Sequence, residues 1–168
     1  SEKNEAFACA VLEHGFIPCK MRKGKTFIKH LLDDVYPGDK KIKDLLQPIW
    51  DAIEVILNAI QKNKDVTADM IDALPHIEFP VTKKGDTLLH LGIQRNKLKL
   101  VKQALKKGAD PNRRNTNGLT PLSLAAKTND KETDMLPVTK TLVKHGADLL
   151  ERDKSGKSPQ EHIHQHHA

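Results

Sequence analysis

The chain has 168 residues, with 28 Lys and Arg against 22 Asp and Glu, a net charge of +6 that favours acidic partners without naming one. Leu, Ile, Val and Phe make up about a quarter of it, enough for a core and too many for wholesale disorder. With a mean hydropathy of −0.55, no long apolar run and two cysteines, a membrane span and a disulfide framework are excluded, and 4% aromatics is poor for a base-stacking platform.

Laid in the register of the repeats that begin at Thr82, Val11-Leu-Glu-His-Gly15 resembles the end of a second helix, Ala6–Glu13 would be the outer helix of a truncated first unit, and Gly24-Lys-Thr26 the turn after it. Lys40–Asn63 is predicted as the longest helix. Ile42, Leu45, Leu46, Ile49, Ile53, Ile56 and Ile60 repeat with a 3.6-residue period, and Trp50 and Leu57 widen the stripe. Pro48 predicts a kink or a restart there, because its ring clashes with the preceding turn. Thr67–Leu74 is a short helix with Thr67 as its cap, and Pro75–Pro80 leads on in extended form.

From Thr82 the chain repeats itself. Thr82–Arg114 and Asn115–Arg152 share Gly-x-Thr, an apolar Leu-x-Leu segment, a second apolar segment and Gly-Ala-Asp. Gly85 to Gly118 is 33 residues and Gly108 to Gly146 is 38, so five extra residues sit between the two helical segments of the second unit. In the first unit Leu98, Leu100, Val101, Ala104 and Leu105 supply a second helix that Gly108 ends. In the second unit Thr120 caps and Pro121 opens a helix carrying Leu122, Leu124, Ala125 and Ala126. Val138, Leu142 and Val143 form the core of its second helix, which Pro137 opens and Gly146 ends. Asn129–Leu136 is predicted as a loop with an exposed Met-Leu pair, so deleting Asp130–Met135 is expected to change the melting temperature little.

Gly118-Leu-Thr-Pro-Leu-Ser123, Gly85-Asp-Thr-Leu-Leu-His90, Leu105-Lys-Lys-Gly-Ala-Asp-Pro-Asn112 and Val143-Lys-His-Gly-Ala-Asp148 resemble the ankyrin-repeat family. The resemblance covers roughly residues 81–163 and extends more loosely to the N-terminal half. It implies an all-α fold, an ankyrin-repeat solenoid of about four stacked helix pairs with short β-turn connections and an enlarged irregular unit. The expected organisation is one domain over 1–168: a truncated unit at 1–23, an enlarged or degenerate region at 24–80, a regular unit at 81–114, the inserted unit at 115–152, and an incomplete one with a His-rich tail at 153–168. In this register the chain starts and stops within units, which points to a piece of something longer. His90 aligns with the family's turn-bracing histidine, a structural role.

Other motifs have plainer readings. Gly24-Lys-Thr26 lacks the upstream glycine of a phosphate loop, since Cys19 stands there. Cys9 and Cys19, with His14 and His30, lack a Cys-His catalytic signature. His162–Ala168 reads as a solvated tail rather than a metal site, and the pairs Asp33 and Asp34, or Asp69 and Asp72, as solvated or capping carboxylates. No residue is assigned to catalysis, and no metal or cofactor is expected.

The family resemblance implies a binding surface on the concave side, made of turn tips and first-helix ends. Carried over unit by unit, it comprises Arg22, Lys23 and Lys25; then Lys83, Lys84, Asp86, Gln94 and Arg95; then Thr116, Asn117, Leu119, Lys127 and Thr128; then Lys154 and Lys157. Its cations predict recruitment of an acidic protein surface or peptide by a monomeric module. Nucleic acid or anionic lipid is the lesser expectation, and a merely solvated face stays open. The alternative is a targeting module of a larger enzyme, since the irregular units are similar to those of host-directed bacterial effectors. The expected location is intracellular, or the host cytosol for an effector.

Overall fold

The computed structural model describes residues 31–128 and 134–165. The expectations for Ala6–Glu13, Cys9, Cys19, His14, His30 and Gly24-Lys-Thr26, for Arg22, Lys23 and Lys25, and for most of the 129–136 insertion lie outside these residues. The chain divides into two compact units, Ser1–Lys83 and Lys84–Ala168. Every regular element among the described residues is helical.

The first unit contains a π-helical turn, Leu31–Val35, closed by the Tyr36 N–H donating to Leu31 O at 2.9 Å. Helix α1, Lys40–Gln61, comes next, and the Asp39 carboxylate caps it by accepting from Ile42 N at 3.3 Å. Ile42, Leu46, Ile49, Ile53, Ile56 and Ile60 are buried, as their period predicts, whereas Leu45 lies exposed at the edge of the stripe. The helix runs through Pro48 with no restart. Pro48 and Asp44 are both exposed, so the missing intrahelical bond lies on the solvent side of the helix. Trp50 and Leu57 are half-buried. Helix α2, Ala68–Asp72, is capped by Thr67 Oγ1, which accepts from Met70 N at 3.4 Å. Beyond it Ile77, Phe79, Pro80 and Val81 are buried.

The second unit contains α3 (Leu88–Gln94), α4 (Leu98–Lys106), α5 (Pro121–Thr128), α6 (Leu136–Lys144) and α7 (Pro159–Gln165). Helices α3, α5 and α7 form one row and α4 and α6 a second; α3 pairs with α4, and α5 with α6. The α3–α4 pair is close because Gly92 carries no Cβ. One built there would meet Leu100 Cγ and Val101 Cγ2 at 3.2 Å.

The Gly-Ala-Asp triplet has a distinct job for each residue. Gly108 and Gly146 take the left-handed conformation at φ +95° and +88°, just past the ends of α4 and α6. That turn lets Ala109 N donate to Ala104 O and Ala147 N to Leu142 O, both at 3.0 Å, capping carbonyls the helix leaves open. The alanines are buried, and Asp110 and Asp148 then accept from the backbone two residues on, at 2.8 Å each. Asn63 and Asn96 do the glycine's work after α1 and α3, at φ +54° and +48°.

Two core expectations change. Met135 is buried, at 1% exposure, directly before α6, so only Leu136 of the predicted Met-Leu pair is exposed. Deleting Asp130–Met135 therefore removes a core side chain, and the variant is now expected to melt at a lower temperature than the wild type. Val143 is also exposed, leaving Val138 and Leu142 to bury α6.

Candidate functional site

The turn tips are built alike. Asn115 N donates to Leu119 O at 3.1 Å, and Asn115 Oδ1 accepts from Asn117 N at 3.0 Å and Leu119 N at 3.1 Å. Asp153 repeats the device: its N–H donates to Lys157 O at 2.9 Å, and Oδ1 accepts from Ser155 N at 2.8 Å and Lys157 N at 3.1 Å. An Asn or Asp side chain can imitate a backbone carbonyl in this way because it is short. Neighbouring tips lock edge to edge. Lys84 O accepts from both Thr116 N and Thr116 Oγ1 at 2.8 Å, and Thr116 O accepts from Lys154 Nζ.

His90 braces the first two tips from below. Thr87 N donates to His90 Nδ1 at 3.3 Å, and His90 Nε2 lies 3.3 Å from Leu119 O. A backbone N–H only donates and a carbonyl only accepts, so these partners select the neutral ring with its proton on Nε2. Burial pushes the imidazole below its ordinary 6.5, and the Leu119 carbonyl and the Asp86 charge only partly oppose this. The unfolded chain therefore takes up a proton that the folded one refuses. This contribution to stability is complete above pH 6.5 and is lost as pH falls below it, down to the folded value. Denaturation midpoints measured between pH 8 and 5.5 are expected to drop more in the wild type than in His90→Gln, with the other histidines common to both.

In α7, Ser158 and Glu161 form a reciprocal cap: Ser158 N donates to Glu161 Oε2 at 2.6 Å, and Glu161 N to Ser158 Oγ at 3.4 Å. The same carboxylate accepts from Arg152 Nη1 at 2.9 Å. Together, with the backbone bond first, these contacts hold Glu161 below the usual carboxylate range.

Each sequence-predicted site residue of this unit can now be placed. Lys84, Gln94, Arg95, Thr116, Asn117, Lys127 and Lys154 are exposed, and Lys157 and Thr128 are half-buried. Lys83 is exposed as the last residue of the first unit. Two residues do not belong to the surface. Asp86 is buried and accepts from Asn115 Nδ2 at 2.8 Å and Gln94 Nε2 at 3.2 Å, so it ties the tips together. Leu119 is buried at 7% exposure and forms the floor of a groove. That groove has a volume of about 370 Å³ and is lined by Asn117, Leu119, Lys127, Asp153, Lys154 and Ser155. Thr128 Oγ1 donates back to Leu124 O at 2.9 Å, which occupies its hydroxyl within α5.

Sequence reading missed Asn115 and Asp153, although Asx-x-x-Gly before each helix was the available signal. It also misplaced His162, which is no solvated tail residue. His162 is buried, and its Nε2 lies 2.8 Å from Asp153 Oδ2. Burial alone would raise the Asp153 carboxyl. Hydrogen bonds from the Ser155 hydroxyl, His162 and the Lys157 and Ser155 amides outweigh it and hold the group well below its ordinary 3.8.

Asx-built turn tips, paired short helices in two rows and Gly-Ala-Asp helix ends recur along the unit, and His90 braces the first two tips. A family model for ankyrin repeats, in three copies, matches residues 89–163. This segment is an ankyrin-repeat array. No curated protein matches the chain. Ankyrin repeats are generally protein–protein interaction modules and typically non-catalytic. No helix among the described residues is long and apolar enough to cross a membrane. No cluster of His, Cys, Asp and Glu among them is arranged to hold a metal ion.

Proposed function

We propose that this chain is a protein-binding module whose ankyrin turn-tip face recruits an acidic segment of a partner protein. One observation carries the reading: the face turns its carboxylates inward and its cations outward. Asp86 and Asp153 are buried in hydrogen bonds, while Lys84, Arg95, Lys127 and Lys154 are exposed. Lys84, Thr116 and Lys154 lie along one row of bonded tips. The first-helix ends reach the same face, since Gln94 donates to Asp86, and Lys127 lines a groove with Leu119. Leu119 gives the groove an apolar element and Lys127 and Lys154 its cations, while the Asp153 carboxylate in its lining is engaged by Ser155, Lys157 and His162. Exposed charges of this kind act mainly on encounter and orientation, so binding should weaken with added salt.

The test reverses Lys84, Arg95 and Lys127 to Glu together. None has a core position, so the circular dichroism spectrum is expected to stay unchanged. Affinity for an Asp- and Glu-rich probe peptide is expected to fall at least tenfold, ~1.4 kcal/mol. A matched reversal of Lys99, Lys102 and Lys106, exposed on α4, is expected to do little. Equal losses from both sets would reduce the effect to net charge and remove the assignment of this face.

A further inference from the structure

Helices α4 and α6 stand side by side in one row, and residues 38 apart in the chain occupy equivalent places on them. On α4, Leu100, Val101, Ala104 and Leu105 are buried, and Lys99, Lys102 and Lys106 are exposed. On α6, Val138 and Leu142 are buried, and Lys140 and Lys144 are exposed. Lys102 is equivalent to Lys140, and Lys106 to Lys144. Four lysines therefore form an array on the outer side, about 6 Å apart along each helix and about 10 Å across. Neither helix contains an Asp or a Glu.

A merely solvated helix mixes its signs, as α1 does with Lys40, Lys41 and Lys43 beside Asp44, Asp51 and Glu54. Lys102 and Lys106, and again Lys140 and Lys144, instead set like charges one turn apart, a repulsion that works against each helix. Carboxylates nearby are engaged elsewhere. Asp110 and Asp148 accept from Asn112 N and Leu150 N at 2.8 Å, Asp134 accepts from Leu136 N at 2.9 Å, and Glu151 pairs with Arg114. Among the described residues no carboxylate pairs with Lys102, Lys106, Lys140 or Lys144.

We infer that the outer face of α4 and α6 docks on an anionic phospholipid surface. The shape and chemistry of the array select this occupant over a nucleic acid. A phosphodiester strand carries its charge along a line, and proteins that hold it add arginine forks or aromatic stacking. Neither helix has an arginine or an aromatic residue. A bilayer spreads its charge in two dimensions, and lysine, a strongly hydrated point charge, meets headgroups without leaving water. A single acidic peptide finds no groove among these lysines and meets few of them at once. A bilayer meets them together, so their attractions add. This site is separate from the turn-tip face and does not depend on it.

The test is co-sedimentation of the whole chain with phosphatidylcholine vesicles, pure or containing about a third phosphatidylserine. The wild type is expected to bind the anionic vesicles at least tenfold more tightly, a preference that shrinks with added salt. Lys102→Glu/Lys140→Glu should lose at least tenfold on the anionic vesicles, and the milder Lys106→Gln/Lys144→Gln should fall in the same direction, both with unchanged circular dichroism. Two controls should keep their binding: Lys43→Glu/Lys62→Glu, a matched charge reversal at exposed positions of the first unit, and the turn-tip reversal of Lys84, Arg95 and Lys127. No preference of the wild type for anionic vesicles, or losses in the controls equal to those in the α4 and α6 variants, would overturn the inference. A mixed-sequence RNA duplex bound tenfold more tightly than the vesicles, and released by Lys102→Glu/Lys140→Glu, would overturn the stated occupant in favour of nucleic acid.

Discussion

Gly118→Ala is expected to destabilise the Lys84–Ala168 unit by about 2–4 kcal/mol, from a left-handed backbone that alanine adopts poorly together with overpacking. Gly118 sits at φ +74°, and a Cβ there would lie 2.6 Å from Lys154 Cγ and 2.9 Å from Lys154 N. The lysine side chain can move aside. The Lys154 backbone cannot, because the Asp153 turn fixes it through the bonds to Ser155 and Lys157. Gly146→Ala separates the two contributions, since Gly146 has a similar φ of +88° and nothing within 4 Å of its missing Cβ. That variant should cost only the backbone contribution, about 1–2 kcal/mol. Urea denaturation of both variants checks this. Equal losses would show that the tips do not press on each other.

Asp153→Ala is expected to cost about 3 kcal/mol, because it strands several donors at once, the buried His162 ring among them. Ser155 N, Lys157 N and the Ser155 hydroxyl lose Oδ1, and His162 loses Oδ2. Asp153→Asn should cost less than half as much. Asparagine keeps the Oδ1 acceptor, as Asn115 demonstrates in the preceding turn. The two variants should also differ from the wild type in acid. The folded Asp153 carboxyl lies below its ordinary 3.8, so its contribution is complete well above that pH and is lost as pH falls through it. Denaturation midpoints of the wild type should therefore fall more steeply between pH 5 and 2.5 than those of Asp153→Asn. Hydrogen exchange should show α7 opening first in Asp153→Ala.

Much of this could be read from the sequence, for definite reasons. Gly-Ala-Asp was legible because each member answers a local demand: a left-handed residue, a small buried one and an Asx acceptor. The stripe on α1 was legible because Ile at 3.6-residue spacing has one place to go. The errors share another cause. Asp86 and Leu119 occupy turn positions that a repeat template treats as variable surface, and only the neighbouring tip buries them. Asn115 Nδ2 reaches Asp86, and His90 reaches the Leu119 carbonyl. Val143 looked like core because its equivalent Leu105 is core. The difference is that α4 has α6 beside it in its row, whereas no described helix takes that place beside α6. His162 looked like tail because four histidines in seven residues dominate the local pattern. Its pairing depends on Asp153, nine residues earlier.

The most direct test of the binding account is a map of backbone amide shifts in the isotopically labelled chain as an Asp- and Glu-rich peptide is added. The turn-tip reading predicts the largest shifts at Lys84, Arg95, Asn117, Lys127 and Lys154, fading with added salt, with α4 and α6 unmoved. Shifts concentrated on α4 and α6, or spread evenly over all exposed lysines, would contradict it.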